Sequence, residues 1–224
     1  MPTEEGQDRA FTPALGRGPT RLYDAALRVF TRERRWRGAV MDAVAAANPR
    51  TVLDVGCGTG TLAIGMASRI PGALVTGLDP DTEALAIAAR KTAGVRQSIA
   101  WRIGFASDAA LDGRASAFDV VTCTLVLHQV PLAGKAVGLS AMQAALRPGG
   151  RLVLADYSEQ RLPLMRALFR LTVQRIDGRE DTQPNADGVL PRLIAGAGFA
   201  DVAESMVIPT PSGSISILTA TKVG

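Results

Sequence analysis

The sequence predicts an α/β fold: a parallel β-sheet covered by helices on both faces and closed by an antiparallel hairpin. Three observations predict it. Short, nearly all-apolar runs such as Thr51–Val55, Leu74–Asp79 and Phe118–Cys123 read as strands buried on both faces. Between them lie stretches with apolar residues at three- and four-residue steps, which read as covering helices. The last two runs, 201–209 and 214–221, are linked only by Thr210–Gly213, too short a link for a parallel crossover and suited to a hairpin at a sheet edge. With 224 residues, 47% of them apolar and 21% charged, the chain can bury the core of one such domain.

Taken in order, residues 1–18 are polar, rich in Gly and Pro and without periodicity, and read as a flexible arm or a lid that orders on a ligand. A single domain is expected over 19–224. Its first part, 19–50, is a helical cover: Leu22, Ala26, Val29 and Phe30 form one stripe, and Val40, Val44 and Ala47 another that Asn48-Pro49 stops. Residues 51–157 form a core in which strands at 51–55, 74–79, 100–105, 118–123 and 151–157 alternate with helices at 61–68, 82–92 and 134–146. A helical insertion follows over 158–198, where Leu164, Leu168, Leu171 and Val173 lie among arginines. A polar loop containing Asp177-Gly178, Thr182, Asn185 and Gly188 then precedes a short helix over Val189–Ala197. The hairpin closes the chain over 199–224.

Charge excludes more than it suggests. Of 25 basic residues only Lys91, Lys135 and Lys222 are lysines, so a sequence pI near 9.6 accompanies a net charge of only +4. The N-terminal arginines at 9, 17, 21, 28, 32, 34, 35 and 37 are interleaved with Glu4, Glu5, Asp8, Asp24, Glu33 and Asp42. No basic run with stacking aromatics is present, and no nucleic-acid partner is expected. No window approaches the roughly 20 apolar residues that span a bilayer, although the 160–176 stretch suits peripheral membrane contact or the roof of a pocket. Two cysteines, Cys57 and Cys123, and one histidine, His128, suit neither a disulfide framework nor a structural metal site. A cytoplasmic setting, no metal and a monomer or homodimer are expected.

The most informative stretch is Thr51-Val-Leu-Asp-Val-Gly-Cys-Gly-Thr-Gly60, a strand entering a turn with glycines at 56, 58 and 60. Glycines there let the backbone pass close to a ligand or a neighbouring segment. A dinucleotide turn of G-x-G-x-x-G spacing requires glycine at 61, where this chain has Thr61. Asp54, two residues before the first glycine, is awkward beside a phosphate and useful beside an ammonium group. Asp79, at the end of the next strand, is placed to accept bonds from two vicinal ribose hydroxyls.

Together with Gly77-Leu78-Asp79, Phe118-Asp119-Val120-Val121, Leu127-His128 and Leu146-Arg147-Pro148-Gly149-Gly150-Arg151, this turn resembles the class I S-adenosylmethionine-dependent methyltransferases. Within them it is most similar to the ubiquinone and menaquinone biosynthesis C-methyltransferases. The resemblance is strong over 51–157 and loose in the flanks. It implies a Rossmann-like, seven-stranded, mostly parallel sheet with a reversed final strand, and S-adenosyl-L-methionine as cofactor. Gly56, Gly58 and Gly60 would line that cofactor, Asp54 would face its amino group and Asp79 its ribose. Pro80 and Asp81 would flank the adenine. After the third strand the family's acidic residue is replaced by Phe105 before Ala106. There the Ala106 backbone would read the base, Phe105 would pack on it, and Ser107 or Asp108 would stand in for the carboxylate. Cys57 and Cys123, ending strands one and four, would edge the pocket as small apolar filling.

Catalytic candidates are His128, read either as a general base or as a cap on the turn after strand four, and Tyr23. Trp36 and Arg37 are substrate-side candidates, because Tyr23-Asp24 followed by a basic-Trp-basic cluster is similar to the quinone branch; Trp36 reads equally well as core. The chain lacks the Asn/Asp-Pro-Pro-aromatic signature of nucleic-acid and amide-nitrogen enzymes, having Thr122-Cys123-Thr124-Leu125 there. The expected reaction is in-line methyl transfer to a C, N or O atom of a small-molecule or lipid-like acceptor. A cofactor-binding scaffold without catalysis, and more remotely an NAD-dependent oxidoreductase, are the alternatives.

Overall fold

Trp36, Val40 and Val44 recur every four residues, and they are the buried stripe of helix α1 (Glu33–Ala46). A computed structural model describes this helix within residues 32–93 and 99–224. Tyr23, the arm over 1–18 and the helix expected over 20–30 lie outside the described residues.

From α1 the chain alternates strand and helix. β1 (Thr51–Val55) leads through the glycine turn to α2 (Thr61–Arg69), and β2 (Leu74–Asp79) leads to α3 (Thr82–Thr92). β3 (Ile99–Ile103) and β4 (Phe118–Thr124) are followed by α4 (Leu132–Ala145) and β5 (Leu146–Tyr157). The insertion comprises α5 (Pro163–Leu171), α6 (Val173–Ile176), α7 (Arg179–Ala186) and α8 (Leu190–Gly196); β6 (Phe199–Thr210) and β7 (Gly213–Lys222) form the hairpin.

The described residues form a seven-stranded sheet of order β3-β2-β1-β4-β5-β7-β6. Pairs from β3 to β5 are parallel, and β7 runs antiparallel to both β5 and β6. Strand order reverses between β1 and β4, and the carboxyl ends at such a reversal are where open α/β sheets take ligands. Alternation sorts the strand side chains onto two faces. Val52, Val120, Val153 and Ala155 share one apolar cluster with α1, α2 and Phe169 of α5. Leu53, Val55, Val121, Cys123 and Leu154 share the other with Leu139 and Met142 of α4 and Leu190 and Ile194 of α8.

Three expectations need correction. The third strand ends at Ile103 rather than at 105, because Asp108 Oδ2 accepts from the Phe105 amide at 2.8 Å and turns the chain into a short 3-10 helix at Ala106–Asp108. The fifth strand starts at Leu146 rather than Arg151; Pro148-Gly149-Gly150 is absorbed in an irregularity of the β4–β5 ladder, with Gly149 at φ 74°. The polar stretch expected as a loop is helix α7. Its residues are tied down by Thr182 Oγ1 donating to Gly178 O and Asn185 Nδ2 donating to Tyr157 O at 2.8 Å.

Candidate active site

Each glycine of the turn after β1 has its own reason to be glycine. All three have positive φ: 69° at Gly56, 52° at Gly58 and 75° at Gly60. A Cβ on Gly56 would lie 2.1 Å from Val126 Cγ2, and one on Gly60 would lie 2.4 Å from the Trp101 ring and 2.9 Å from Ala88. Those two glycines therefore make room for the protein's own side chains. Gly58 alone faces open space, so it is the glycine of the turn whose free flank can admit a ligand.

Two buried carboxylates lie near the carboxyl ends of the neighbouring strands β1 and β2. Asp54 is buried; its Oδ1 accepts from Thr122 Oγ1 at 2.7 Å, while Oδ2 has no partner among the described residues. Burial pushes this carboxyl up to about 6, opposed by the Thr122 hydrogen bond and the Arg37 charge. A buried carboxylate oxygen without a donor is costly, and a ligand ammonium would relieve that cost. Asp79 ends β2 with Oδ2 accepting from the Gly58 amide at 2.7 Å and Oδ1 from the Asp81 amide at 2.9 Å. Burial raises its carboxyl too. Each oxygen keeps a second lone pair, enough for a vicinal diol. These residues fit the group that the turn implies: an unpaired acceptor for an ammonium at Asp54, a paired acceptor for two hydroxyls at Asp79 and an unfilled flank at Gly58, whose amide Asp79 holds.

Of the residues expected near a base, Pro80 is partly exposed beside Asp79, and Asp81 is committed as the cap of α3, accepting from the Glu83 and Ala84 amides. Phe105 is 37% exposed and Ala106 packs against α4 at Gly138. Asp108 is spent on capping its own turn. Cys57 underlies the glycine turn, its sulfur filling the space a Gly77 Cβ would take. Cys123 is a correction: it is fully buried among Leu127, Leu139 and Leu154, on the sheet face opposite to Asp54, and has no surface to offer a cofactor. Burial pushes both thiols upward, so neither is a poised nucleophile.

The turn after β4 is organised by a residue that the sequence reading missed. Asp156, fully buried near the end of β5, has four partners: Oδ2 accepts from the Val126 and Leu127 amides (3.1 and 2.7 Å), and Oδ1 meets His128 Nδ1 at 2.7 Å and the Tyr157 amide at 2.8 Å. It thereby fixes the turn after β4, where Leu125 is held at φ 54°. Its sequence signal was a lone carboxylate in the apolar run Leu152-Val-Leu-Ala-Asp156. Lys135 of α4 was also missed. Fully buried, its ammonium donates to the carbonyls of Leu127 (2.5 Å), Val130 (2.6 Å) and Asp181 (2.8 Å), joining that turn to α7. Burial lowers it to about 8.

His128 is likewise a tie rather than a free base. Its Nδ1 meets Asp156 and its Nε2 lies 3.5 Å from Asp177 Oδ2, with the Tyr157 ring edge-on at 5.1 Å. Burial alone would lower its pKa, but the charge and hydrogen bond of Asp156, reinforced by Asp177, raise it to about 9. Near pH 7 the imidazole is protonated with both nitrogens engaged, which removes the lone pair a general base needs. The general-base expectation gives way to the structural one. Trp36 is corrected in the same sense: it is 2% exposed and packs in the core with Val40 and Val44 instead of facing an acceptor. Arg37 lies over its ring at 4.9 Å and pairs with Glu33.

Comparison with known proteins gives the chain a family. A family described as "Methyltransferase domain" matches residues 53–152. The demethylmenaquinone methyltransferase of Deinococcus radiodurans is 35% identical over 156 residues, covering 69% of this chain and 63% of that protein. The enzyme of the same name from Thermus thermophilus is 33% identical, covering 69% of each chain. The ubiquinone/menaquinone biosynthesis C-methyltransferase UbiE of Paracoccus denitrificans is 34% identical, covering 61% of this chain and 54% of that one. The chain thus spans between about half and two thirds of the curated relatives it matches. Among solved structures, an O-methyltransferase family protein from Burkholderia thailandensis superposes with a TM-score of 0.68 at 22% identity, covering 91% of this chain and 59% of that one. A methyltransferase from Methanosarcina mazei does so at 0.58, covering 77% and 92%. At these identities the two structures speak to the fold. The chain belongs to the class I S-adenosylmethionine-dependent methyltransferases. Within that class it falls in the branch of the ubiquinone and menaquinone biosynthesis methyltransferases.

Proposed function

We propose that the chain catalyses S-adenosylmethionine-dependent methyl transfer to a small, partly hydrophobic acceptor of the quinone-precursor type. The observation that carries this is the half-satisfied Asp54 of β1 together with Asp79 at the end of the neighbouring β2, whose carboxylate holds the amide of Gly58 next to its open flank. S-adenosylmethionine, when bound, supplies a methyl group already activated by its sulfonium. The chain's own work is then binding, alignment and exclusion of water. Asp54 accepts the donor's ammonium, Asp79 accepts its ribose hydroxyls, and Phe105 and Ala106 border the base. The turn at Leu125–His128, pinned by Asp156, forms a rigid wall between donor and acceptor. His128 keeps its proton and holds that wall to Asp177, so a phenol or ring carbon must lose its proton to another group or to solvent. The relatives' names support an aromatic ring acceptor methylated at carbon, and N or O acceptors of similar shape are accommodated by the same chemistry. No helix among the described residues is long and apolar enough to cross a membrane. The exposed Leu162, Leu164 and Leu171 of the insertion suit a lipid-like acceptor.

Calorimetry with S-adenosylhomocysteine, followed by incubation with methyl-labelled S-adenosylmethionine and demethylmenaquinone, tests this reading. Cofactor binding with label in the quinone is expected. Binding without transfer to any quinone or phenolic acceptor would instead favour a scaffold, and binding of NAD in its place would refute the donor assignment. Asp79→Ala is expected to weaken S-adenosylhomocysteine more than tenfold, about 1.4 kcal/mol or more.

A further inference from the structure

The described residues contain six buried side-chain polar atoms without a partner, and three of them belong to Trp36, Arg37 and Asp54. Native proteins rarely leave such atoms unpaired, and each one asks for an explanation. The three lie at one end of the molecule. Helix α1 ends at Ala46, just before β1 begins at Thr51, so the helix descends toward the amino edge of the sheet and its first turns stand at the carboxyl edge. From Ala46 back to Trp36 the helix rises about 15 Å, and from Thr51 to Asp54 the strand rises about 10 Å. Trp36 is buried in the apolar cluster that covers one whole face of the sheet, and Val52, two residues before Asp54 in β1, belongs to the same face. The Arg37 charge is felt by Asp54, yet Arg37 forms its ion pair with Glu33.

Trp36 Nε1 and Arg37 Nε are donors only, and Asp54 Oδ2 is an acceptor. Two unpaired donors and one unpaired acceptor define the complement of a zwitterion whose carboxylate and ammonium sit on one carbon. Resting on the methyltransferase reading, we infer that Trp36 and Arg37 hold the carboxylate at the amino-acid end of the donor while Asp54 takes the ammonium. The pair therefore serves the donor, not the acceptor. Stacking of the Arg37 guanidinium on the Trp36 ring fixes both donors in one rigid unit. Burial of the indole keeps water from competing for the site.

The test is a binding measurement on the full chain. S-adenosylhomocysteine, its decarboxylated analogue and 5′-methylthioadenosine, which lacks the amino-acid end, are titrated into the wild type, Arg37→Gln and Trp36→Phe. Arg37→Gln is expected to lose at least tenfold in affinity for S-adenosylhomocysteine and Trp36→Phe about fivefold. Both variants should keep wild-type affinity for 5′-methylthioadenosine, which also shows that they fold. The wild type should prefer S-adenosylhomocysteine over the decarboxylated analogue, and Arg37→Gln should lose that preference. Unchanged affinities, or equal losses for all three ligands, overturn the inference. A wild type that binds none of the three overturns the methyltransferase reading as well.

Discussion

Replacing His128 by Asn removes a buried cation from between two carboxylates, and the consequence is a pH-dependent loss of stability. In the folded chain the imidazole is raised from 6.5 to about 9, with Asp156 at 2.7 Å and Asp177 at 3.5 Å as the groups that hold it. The other charged neighbour is Lys135, 3.5 Å from the His128 carbonyl and present in both proteins, so its own titration largely cancels in a comparison. A group whose folded pKa is raised stabilises fully below its unfolded value and loses that contribution as pH rises through the folded one. The window is therefore pH 6.5 to 9. At 1.36 kcal/mol per unit the His128 contribution reaches a ceiling of about 3 kcal/mol. Urea unfolding of wild type and His128→Asn at pH 6 and pH 9.5 checks this. The wild type should be the more stable at pH 6, and its advantage should shrink by about 2 to 3 kcal/mol at pH 9.5. A difference that stays flat, or grows with pH, would refute the protonated bridge.

Gly60→Ala and Gly58→Ala separate the two reasons for glycine in the turn. The first forces a Cβ at φ 75° to within 2.4 Å of Trp101 and should cost about 3 kcal/mol in thermal denaturation. The second meets no neighbour and should cost only about 1 kcal/mol of backbone strain, while weakening S-adenosylhomocysteine in calorimetry; equal stability losses would contradict the assignment. Lys135→Met strands three carbonyls that now share one ammonium, which should destabilise the chain by about 2 kcal/mol after allowing for the relief of a buried charge. Proteolysis near α7 should become faster in that variant, and a cleavage pattern identical to wild type would count against Lys135 as the tie.

The sequence by itself determined the architecture. Periodicity located the strands of the sheet and most of its helices, the four-residue link at Thr210–Gly213 dictated the hairpin, and the spacing of Gly56, Gly58 and Gly60 with Asp54 and Asp79 pointed to the cofactor end. These are local signals, carried by residues close together in the chain. Where the local signal is ambiguous the sequence misleads: the polar stretch with Asp177-Gly178, Thr182, Asn185 and Gly188 reads as a loop because the contacts that stabilise α7 come from Tyr157 and Lys135.

Only the tertiary structure decided what individual side chains do. Gly56 and Gly60 look like ligand glycines in the sequence, and the structure gives them a further reason: Val126 and Trp101, neither near them in the chain, occupy the space a Cβ would take. Cys123 and Asp54 both sit near strand ends, but alternation along neighbouring strands put one in an apolar core and the other on the opposite face, bound to Thr122 and with one oxygen unpaired. A lone histidine invites the role of base. What made His128 a cation instead was the parallel pairing of β4 with β5, which delivers Asp156, and the fold of the insertion, which delivers Asp177. Electrostatic roles depend on distances across the fold. Sequence spacing specifies those distances only where one local element spans them.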